Sequence, residues 1–223
     1  MIDTVIVSGG MIQKDFALDF IRKIEEERKG KKLLLLAADR GLDFFLETGL
    51  VPDIVDGDFD SLSGAGKAYL ESLDHTEIVR LNPEKDDTDT MLAVKQALSL
   101  GAEEIQIYGG LGGRFDHAIA NVQTLRYLSE HGAVGSLCDA QNWMTVQTAG
   151  TVRQYPRRDG WYFSLLSLSD TCTGVTITGA KYCLQNGTLH ANFPLGISNE
   201  IVAERAEISL QTGMLLVLYT KDA

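Results

Sequence analysis

The chain has 223 residues, 44% of them hydrophobic, with 20 basic residues against 31 acidic ones and a net charge of −11 at pH 7. That length supports a substantial core, as one large domain or two small ones, and the acidic balance argues against nucleic acid as a partner while leaving room for a small anionic ligand offset by a cation or a local Arg or Lys. No apolar run approaches the roughly 20 residues of a membrane span, and the opening Met-Ile-Asp-Thr-Val-Ile-Val lacks the basic segment and long apolar core of a secretory leader.

The first two thirds alternate strand and helix. A short β-branched run at 4–7 stops at Ser8-Gly9-Gly10. Helical periodicity follows, with Phe16, Phe20, Ile21 and Ile24 on one face and the charged run 22–32 mostly solvated. Residues 33–38 form a continuous apolar run, the pattern of a strand buried on both faces of a parallel sheet. It ends at Asp39-Arg40-Gly41, before a helix carrying Leu42, Phe45 and Leu46 that Gly49 stops. A third strand at 53–55 runs straight into Asp56-Gly57-Asp58-Phe59-Asp60-Ser61, where Ser61 is expected to cap a helix reaching about residue 73. A fourth strand at 77–81 leads through Asn82-Pro83-Glu84-Lys85-Asp86-Asp87-Thr88-Asp89 into a helix with Met91, Val94 and Leu98 on its apolar side. A fifth at 104–108 ends in Gly109-Gly110-Leu111-Gly112-Gly113-Arg114-Phe115-Asp116-His117 and a helix to about residue 131, and a strand at 134–138 closes the series.

Strands joined by helical segments imply right-handed crossovers and a mostly parallel sheet. The loops leaving the C-terminal ends of such strands lie along one edge, where ligands bind. Ser8–Gly10, Asp39–Gly41, Asp56–Ser61, Asn82–Asp89 and Gly109–His117 all follow strands, so the unusual sequences converge on that edge. From about Asn142 the character changes to β-rich segments at 144–146, 162–168, 174–177, 187–193, 207–210 and 215–219. Turn signals at Arg158-Asp159-Gly160, Asn186-Gly187 and Thr212-Gly213 separate them, and Asn186-Gly187 predicts a type I′ hairpin. The fold expected is therefore an α/β domain with a mostly parallel sheet, residues 1–140, followed by an all-β antiparallel sandwich or small barrel, residues 141–223.

Asp56, Asp58 and Asp60 stand at every second position. If extended they face one side, and two such charges about 4 Å apart repel by about 4 kcal/mol at an effective dielectric near 20. An EF-hand is excluded, because its loop needs Gly at position 6 and Glu at position 12, which here hold Ser61 and Lys67. Asp86 and Asp89 add a second acidic loop on the same edge, three residues apart at a helix start. Residues there also complement the helix dipole or cap the helix, which suffices for Asp87 or Thr88. With no Cys or His in either loop, an oxygen-seeking cation, Mg²⁺, is favoured over zinc. The glycine-dense loop lets backbone N–H groups approach a phosphate but matches neither a Walker loop nor a full G-x-G-x-x-G. Followed by Arg114, Asp116 and His117 at a helix start, it reads as a polyphosphate cradle, with His117 as readily structural as catalytic. Trp143 and Trp161 read as core, and His75, His131 and His190 as surface. Cys138, Cys172 and Cys183 read as reduced, core-filling thiols of a cytoplasmic protein.

Taken in order, Asp56 to Ser61, Lys85-Asp-Asp-Thr-Asp89, Gly109 to His117 and the late Gly196-Ile-Ser-Asn199 resemble the thiamin pyrophosphokinase family over nearly the whole chain. The resemblance implies transfer of an intact pyrophosphoryl group from ATP to the hydroxyl of thiamin, giving thiamin diphosphate and AMP. It implies Mg²⁺ on Asp58, Asp60 and Asp89, with Lys85, Asp86 and Thr88 in the same pocket. ATP is expected on Ser8, Gly9, Gly10, Asp39, Arg40, Asp58, Lys85, Thr88, Gly110, Gly112, Gly113, Arg114 and Asp116. Thiamin is expected on Ser198 and Asn199, in a homodimer whose site forms at the interface from both domains. Asp86, Asp89 and Arg114 are the expected catalytic groups, and Asp56 is expected to support the loop. Two other readings compete: another Mg²⁺-dependent nucleotide phosphotransferase, and a non-catalytic ATP sensor.

Overall fold

The computed structural model describes residues 2–82 and 86–222, so Lys85 lies outside the described residues. The chain divides into two compact units, Met1–Ala140 and Gln141–Ala223.

In the first unit, β1 (Thr4–Val7), α1 (Lys14–Glu27), β2 (Leu34–Ala38), α2 (Leu42–Thr48), β3 (Ile54–Gly57), α3 (Gly64–Glu71) and β4 (Glu77–Arg80) step outward across a sheet. The chain then returns through α4 (Asp89–Ser99) to β5 (Glu104–Tyr108) and continues through α5 (Phe115–Glu130) to β6 (Val134–Cys138). The order is β6-β5-β1-β2-β3-β4 and every pairing is parallel. Right-handed crossovers put α1 to α3 on one face and α4 with α5 on the other. The helix contacts agree: α1 meets α2, α2 meets α3, and α4 meets α5. Val5, Ile6, Val7, Leu36 and Ile107 have no exposed surface, as the continuous apolar runs require of strands covered on both faces. Gly49, at φ 74°, ends α2 in the left-handed conformation as expected. Ser61 does not cap the third helix: the cap is Ser63, whose Oγ accepts from the Gly66 N–H at 2.9 Å.

The second unit holds β7 (Asn142–Thr148), β8 (Val152–Pro156), β9 (Tyr162–Ser167), β10 (Thr171–Thr178), β11 (Leu184–His190), β12 (Gly196–Asn199), β13 (Arg205–Ser209) and β14 (Met214–Thr220). They form two antiparallel four-stranded layers, β12-β9-β14-β7 and β11-β10-β13-β8. The layers share one core: Phe163, Leu165, Leu215, Val217 and Tyr219 from one meet Val175, Ile177, Leu189, Ala206 and Ile208 from the other. Gln147, fully buried, crosses it by donating to the Ile208 carbonyl at 2.9 Å and accepting from the Tyr155 hydroxyl at 3.0 Å.

Three sequence expectations fail in this unit. Asn186 has φ 50°, but Gly187 is not left-handed, so no type I′ turn forms. The pair lies inside β11 at an irregularity in its register with β10, and the reversal falls before Leu184. Strands β8 and β12 carry few inward apolar residues and were not anticipated. Cys183 is exposed, unlike buried Cys138 and Cys172, and is no core filler. Trp143 and Trp161 do pack against the core, under the Arg158 guanidinium at 5.1 and 5.6 Å from their ring centroids.

Candidate active site

The strand order of the first unit reverses between β1 and β5, the point where a doubly wound sheet opens a crevice. The loops leaving those strands meet there backbone to backbone. Ser8 N–H donates to the Tyr108 carbonyl at 2.8 Å and Gly10 N–H to the Gly109 carbonyl at 3.0 Å. A Cβ on Gly10 would stand 2.3 Å from that carbonyl oxygen, so only glycine permits the crossing. Beside it lies a pocket of about 590 Å³. Of the expected residues, Ser8, Gly9, Gly10, Asp39, Arg40, Thr88, Asp89, Gly110, Gly112, Gly113 and Arg114 line it, whereas Asp58, Asp60, Asp86 and Asp116 do not.

Asp39 is the most constrained of these. It opens a single 3₁₀ turn with φ at 46°, a conformation that costs a non-glycine residue of order 1–3 kcal/mol. Its Oδ2 accepts from the Ser61 hydroxyl, and its Oδ1 is buried without a hydrogen-bond partner. Desolvation raises its pKa above the usual carboxylate value, the Ser61 hydrogen bond opposes this, and the Asp89 and Asp58 charges add to the rise. Thus Asp58 and Asp89, from two other loops, both lie within the field of Asp39.

The Asp56–Ser61 loop is wedged rather than extended. Asp56 lies in β3, one residue before its end, and is 2% exposed. Gly57 follows at φ 154°, and a Cβ there would come within 2.9 Å of the Asp39 backbone. Phe59, at φ 65° and 5% exposed, anchors the loop with the Arg80 guanidinium 5.4 Å over its ring. Asp58 accepts from the Asp60 N–H at 3.1 Å, leaving Asp58 half-buried and Asp60 exposed. The three carboxylates therefore do not share one side. Among the described residues, no group of three or more His, Cys, Asp or Glu side chains is close enough to hold a metal ion as arranged.

Thr88 caps α4 by accepting from the Met91 N–H at 3.2 Å, and Asp87 pairs with Lys95 at 2.6 Å. Asp86 is exposed. Arg114, at the N-cap of α5, donates to Asp116 through Nη2 at 2.6 Å and Nε at 3.2 Å. Asp116 is thereby held below the usual carboxylate range, chiefly by that hydrogen bond, and from outside the pocket it braces the arginine that lines it. His117 lines the pocket and is exposed.

In the second unit, Ser198 is exposed at φ 56°, its N–H donating to Ser164 Oγ at 3.1 Å. Asn199 is 8% exposed and its side chain grips a neighbouring loop. Nδ2 donates to the Tyr182 carbonyl at 2.8 Å, while Oδ1 accepts from the Tyr182 and Glu200 N–H groups, both at 2.9 Å. The Tyr182 side chain, 63% exposed, is thus presented by a fixed backbone.

Residues 27–134 match the thiamin pyrophosphokinase catalytic domain and residues 151–215 its vitamin B1 binding domain. The chain is 31% identical to thiamine pyrophosphokinase of Bacillus subtilis (strain 168) over 189 residues, which is 85% of this chain and 88% of that one. The chain belongs to the thiamin pyrophosphokinase family. Solved thiamin pyrophosphokinases superpose along nearly its whole length. That of Bacillus subtilis gives a TM-score of 0.85 at 26% identity, covering 99% of this chain and 100% of its own, and that of Geobacillus thermodenitrificans gives 0.82 at 28%, covering 99% and 98%.

Within this thiamin pyrophosphokinase fold, sequence reasoning did not single out Thr90, Asn121 or Tyr182. Asn121, 5% exposed, lines the pocket and donates to the Gly110 carbonyl at 2.8 Å, holding the glycine-rich loop. Its signal was its position one helical turn beyond His117, on the same face. Thr90 is 8% exposed and bonds Ser8, but a threonine in a first turn carries no distinctive signal. The donors are of the type a hard divalent cation takes: all are oxygen, Asp39 presents a buried Oδ1 without a hydrogen-bond partner, and Asp58 and Asp89 place like charge on Asp39, although among the described residues no three of these side chains converge as arranged.

Proposed function

We propose that this chain transfers the pyrophosphoryl group of ATP to the hydroxyl of thiamin, forming thiamin diphosphate and AMP. The thiamin hydroxyl oxygen bonds to the β-phosphorus, the bond from that phosphorus to the α,β-bridging oxygen breaks, AMP leaves, and the hydroxyl proton passes to a carboxylate. The observation that carries the reading is the juxtaposition, at the strand-order reversal, of a glycine-rich loop with an acidic group of Asp39, Asp58 and Asp89. The Gly10, Gly110, Gly112 and Gly113 backbone supplies close approach for phosphates. Arg114, oriented by Asp116, meets the charge that develops on transfer.

Asp58, Asp60 and Asp89 would hold Mg²⁺, with Asp39 beside them. A divalent cation supplies neutralisation of the polyphosphate and polarises its phosphorus. Asp86, exposed ahead of α4, is the carboxylate we assign to the departing hydroxyl proton. Residues 1–140 form the nucleotide and metal domain. Residues 141–223 contribute thiamin binding and dimerisation in a cytoplasmic homodimer whose site forms at the interface. There Ser198 contacts thiamin, while Asn199 sets the Tyr182 ring as a platform for a cationic heterocycle.

Calorimetric titration of an ATP analogue with and without Mg²⁺ tests the metal assignment. Asp89→Asn and Asp58→Asn should each abolish the Mg²⁺-dependent gain in affinity while leaving the fold intact. Unchanged Mg²⁺ dependence in both variants would remove the acidic group from the reading.

A further inference from the structure

Thr90 follows Asp89 in the first turn of α4, yet its side chain does not serve its own helix. Its Oγ1 lies 2.8 Å from Ser8 Oγ, 82 residues away, and the two residues are 8% and 4% exposed. Ser8 in turn is fixed by its N–H on the Tyr108 carbonyl of β5, and both residues line the pocket. One buried contact therefore ties the helix that carries Asp89 to the loop at the β1–β5 reversal.

Either hydroxyl can donate in this contact. Two hydroxyls share one hydrogen bond, so whichever donates, the other keeps a hydrogen to place elsewhere. If Thr90 donates to Ser8, the Ser8 hydrogen is directed into the pocket. A hydroxyl that already accepts a hydrogen bond is a stronger donor, because the chain is polarised. We propose that Thr90 is a positioning residue for the nucleotide: it donates to Ser8, which donates to a polyphosphate oxygen, and the pair couples phosphate binding to the placement of Asp89. This rests on the pocket being the ATP site.

Thr90→Val keeps the branched shape and removes only the hydroxyl, whereas Thr90→Ser keeps the hydroxyl and removes a methyl. Affinity for a non-hydrolysable ATP analogue with Mg²⁺ is read by calorimetry, beside the melting temperature and the KM for thiamin. Thr90→Val should weaken the analogue about 5- to 10-fold, the worth of the one neutral hydrogen bond that polarises Ser8, and Thr90→Ser should recover most of it. The thiamin KM should stay within about twofold in both, as expected of sites that share no partner. The double variant Ser8→Ala/Thr90→Val should bind no worse than the weaker single variant. Analogue affinity unchanged in Thr90→Val, additive losses in the double variant, or losses in both substrates that follow the melting temperature would each overturn the proposal. A parent that binds the analogue but forms no thiamin diphosphate would instead defeat the proposed function and leave this test standing.

Discussion

Ser61 donates its hydroxyl hydrogen to Asp39 Oδ2, joining the loop after β3 to the loop after β2, while Asp39 Oδ1 stays buried without a hydrogen-bond partner. A left-handed, half-buried carboxylate in the field of two others is a costly arrangement to keep. Its raised pKa means that the folded state binds this proton more tightly than the unfolded chain, whose value is near 3.8. The penalty is therefore absent below that value and grows as pH rises through the folded pKa. Asp39→Asn keeps a residue tolerant of left-handed backbone and removes the charge. We expect it to raise the metal-free melting temperature at pH 7 by about 2–4 °C, roughly 1 kcal/mol in a chain of this size. The difference should vanish towards pH 3, and turnover should fall at least about 100-fold through lost transition-state stabilisation. Scanning calorimetry across pH with parallel assays checks both.

The neighbouring serines separate by role. Ser63→Ala should cost about 1 kcal/mol in urea unfolding, because the Gly66 N–H loses its cap. Ser61→Ala should leave helix stability nearly unchanged and weaken ATP binding through Asp39. A larger unfolding effect from Ser61 would restore it as the cap.

The loop crossing at Gly10 is a steric prediction. Gly10→Ala sets a methyl 2.3 Å from the Gly109 carbonyl oxygen, and the atom met is backbone, which cannot swing aside. A loss of about 1–3 kcal/mol from overpacking is expected, with nucleotide affinity falling as the two loops separate. Denaturant titration and calorimetry report the two effects independently.

Asn199 tests the second unit. Asn199→Ala frees the partly buried Tyr182 N–H and carbonyl, and the thiamin KM should rise about tenfold while the ATP KM moves less than about twofold. Tyr182→Phe should keep the thiamin KM and Tyr182→Ala should not, since a platform needs the ring and not the hydroxyl. Equal effects on both substrates would reduce Asn199 to a fold residue.

What could be read from the sequence follows from physical range. The inner strands β1 and β2 were legible because strands buried on both faces are continuous apolar runs, and β1, β5 and β6 fall where the sequence predicts. The binding edge was legible because strand order and crossover hand fix which loops share it. The edge strand β12, the Ser63 cap and the bulge at Asn186 were not, because each turns on a competition within a residue or two of the signal. Thr90 and the Asp39–Ser61 contact depend on partners 82 and 22 residues away, which no local pattern encodes, whereas Asn121 carried a local signal in its place one turn beyond His117. The alternation of Asp56, Asp58 and Asp60 misled in one respect, because Gly57 and Phe59 leave extended backbone and turn the three carboxylates to different surroundings.

The central claim is settled by the identity of the leaving nucleotide. Phosphorus NMR of the protein incubated with ATP, thiamin and Mg²⁺ should show AMP and thiamin diphosphate appearing in equal amounts, with no thiamin monophosphate. ADP with thiamin monophosphate, or ATP left intact beside thiamin, would contradict the account.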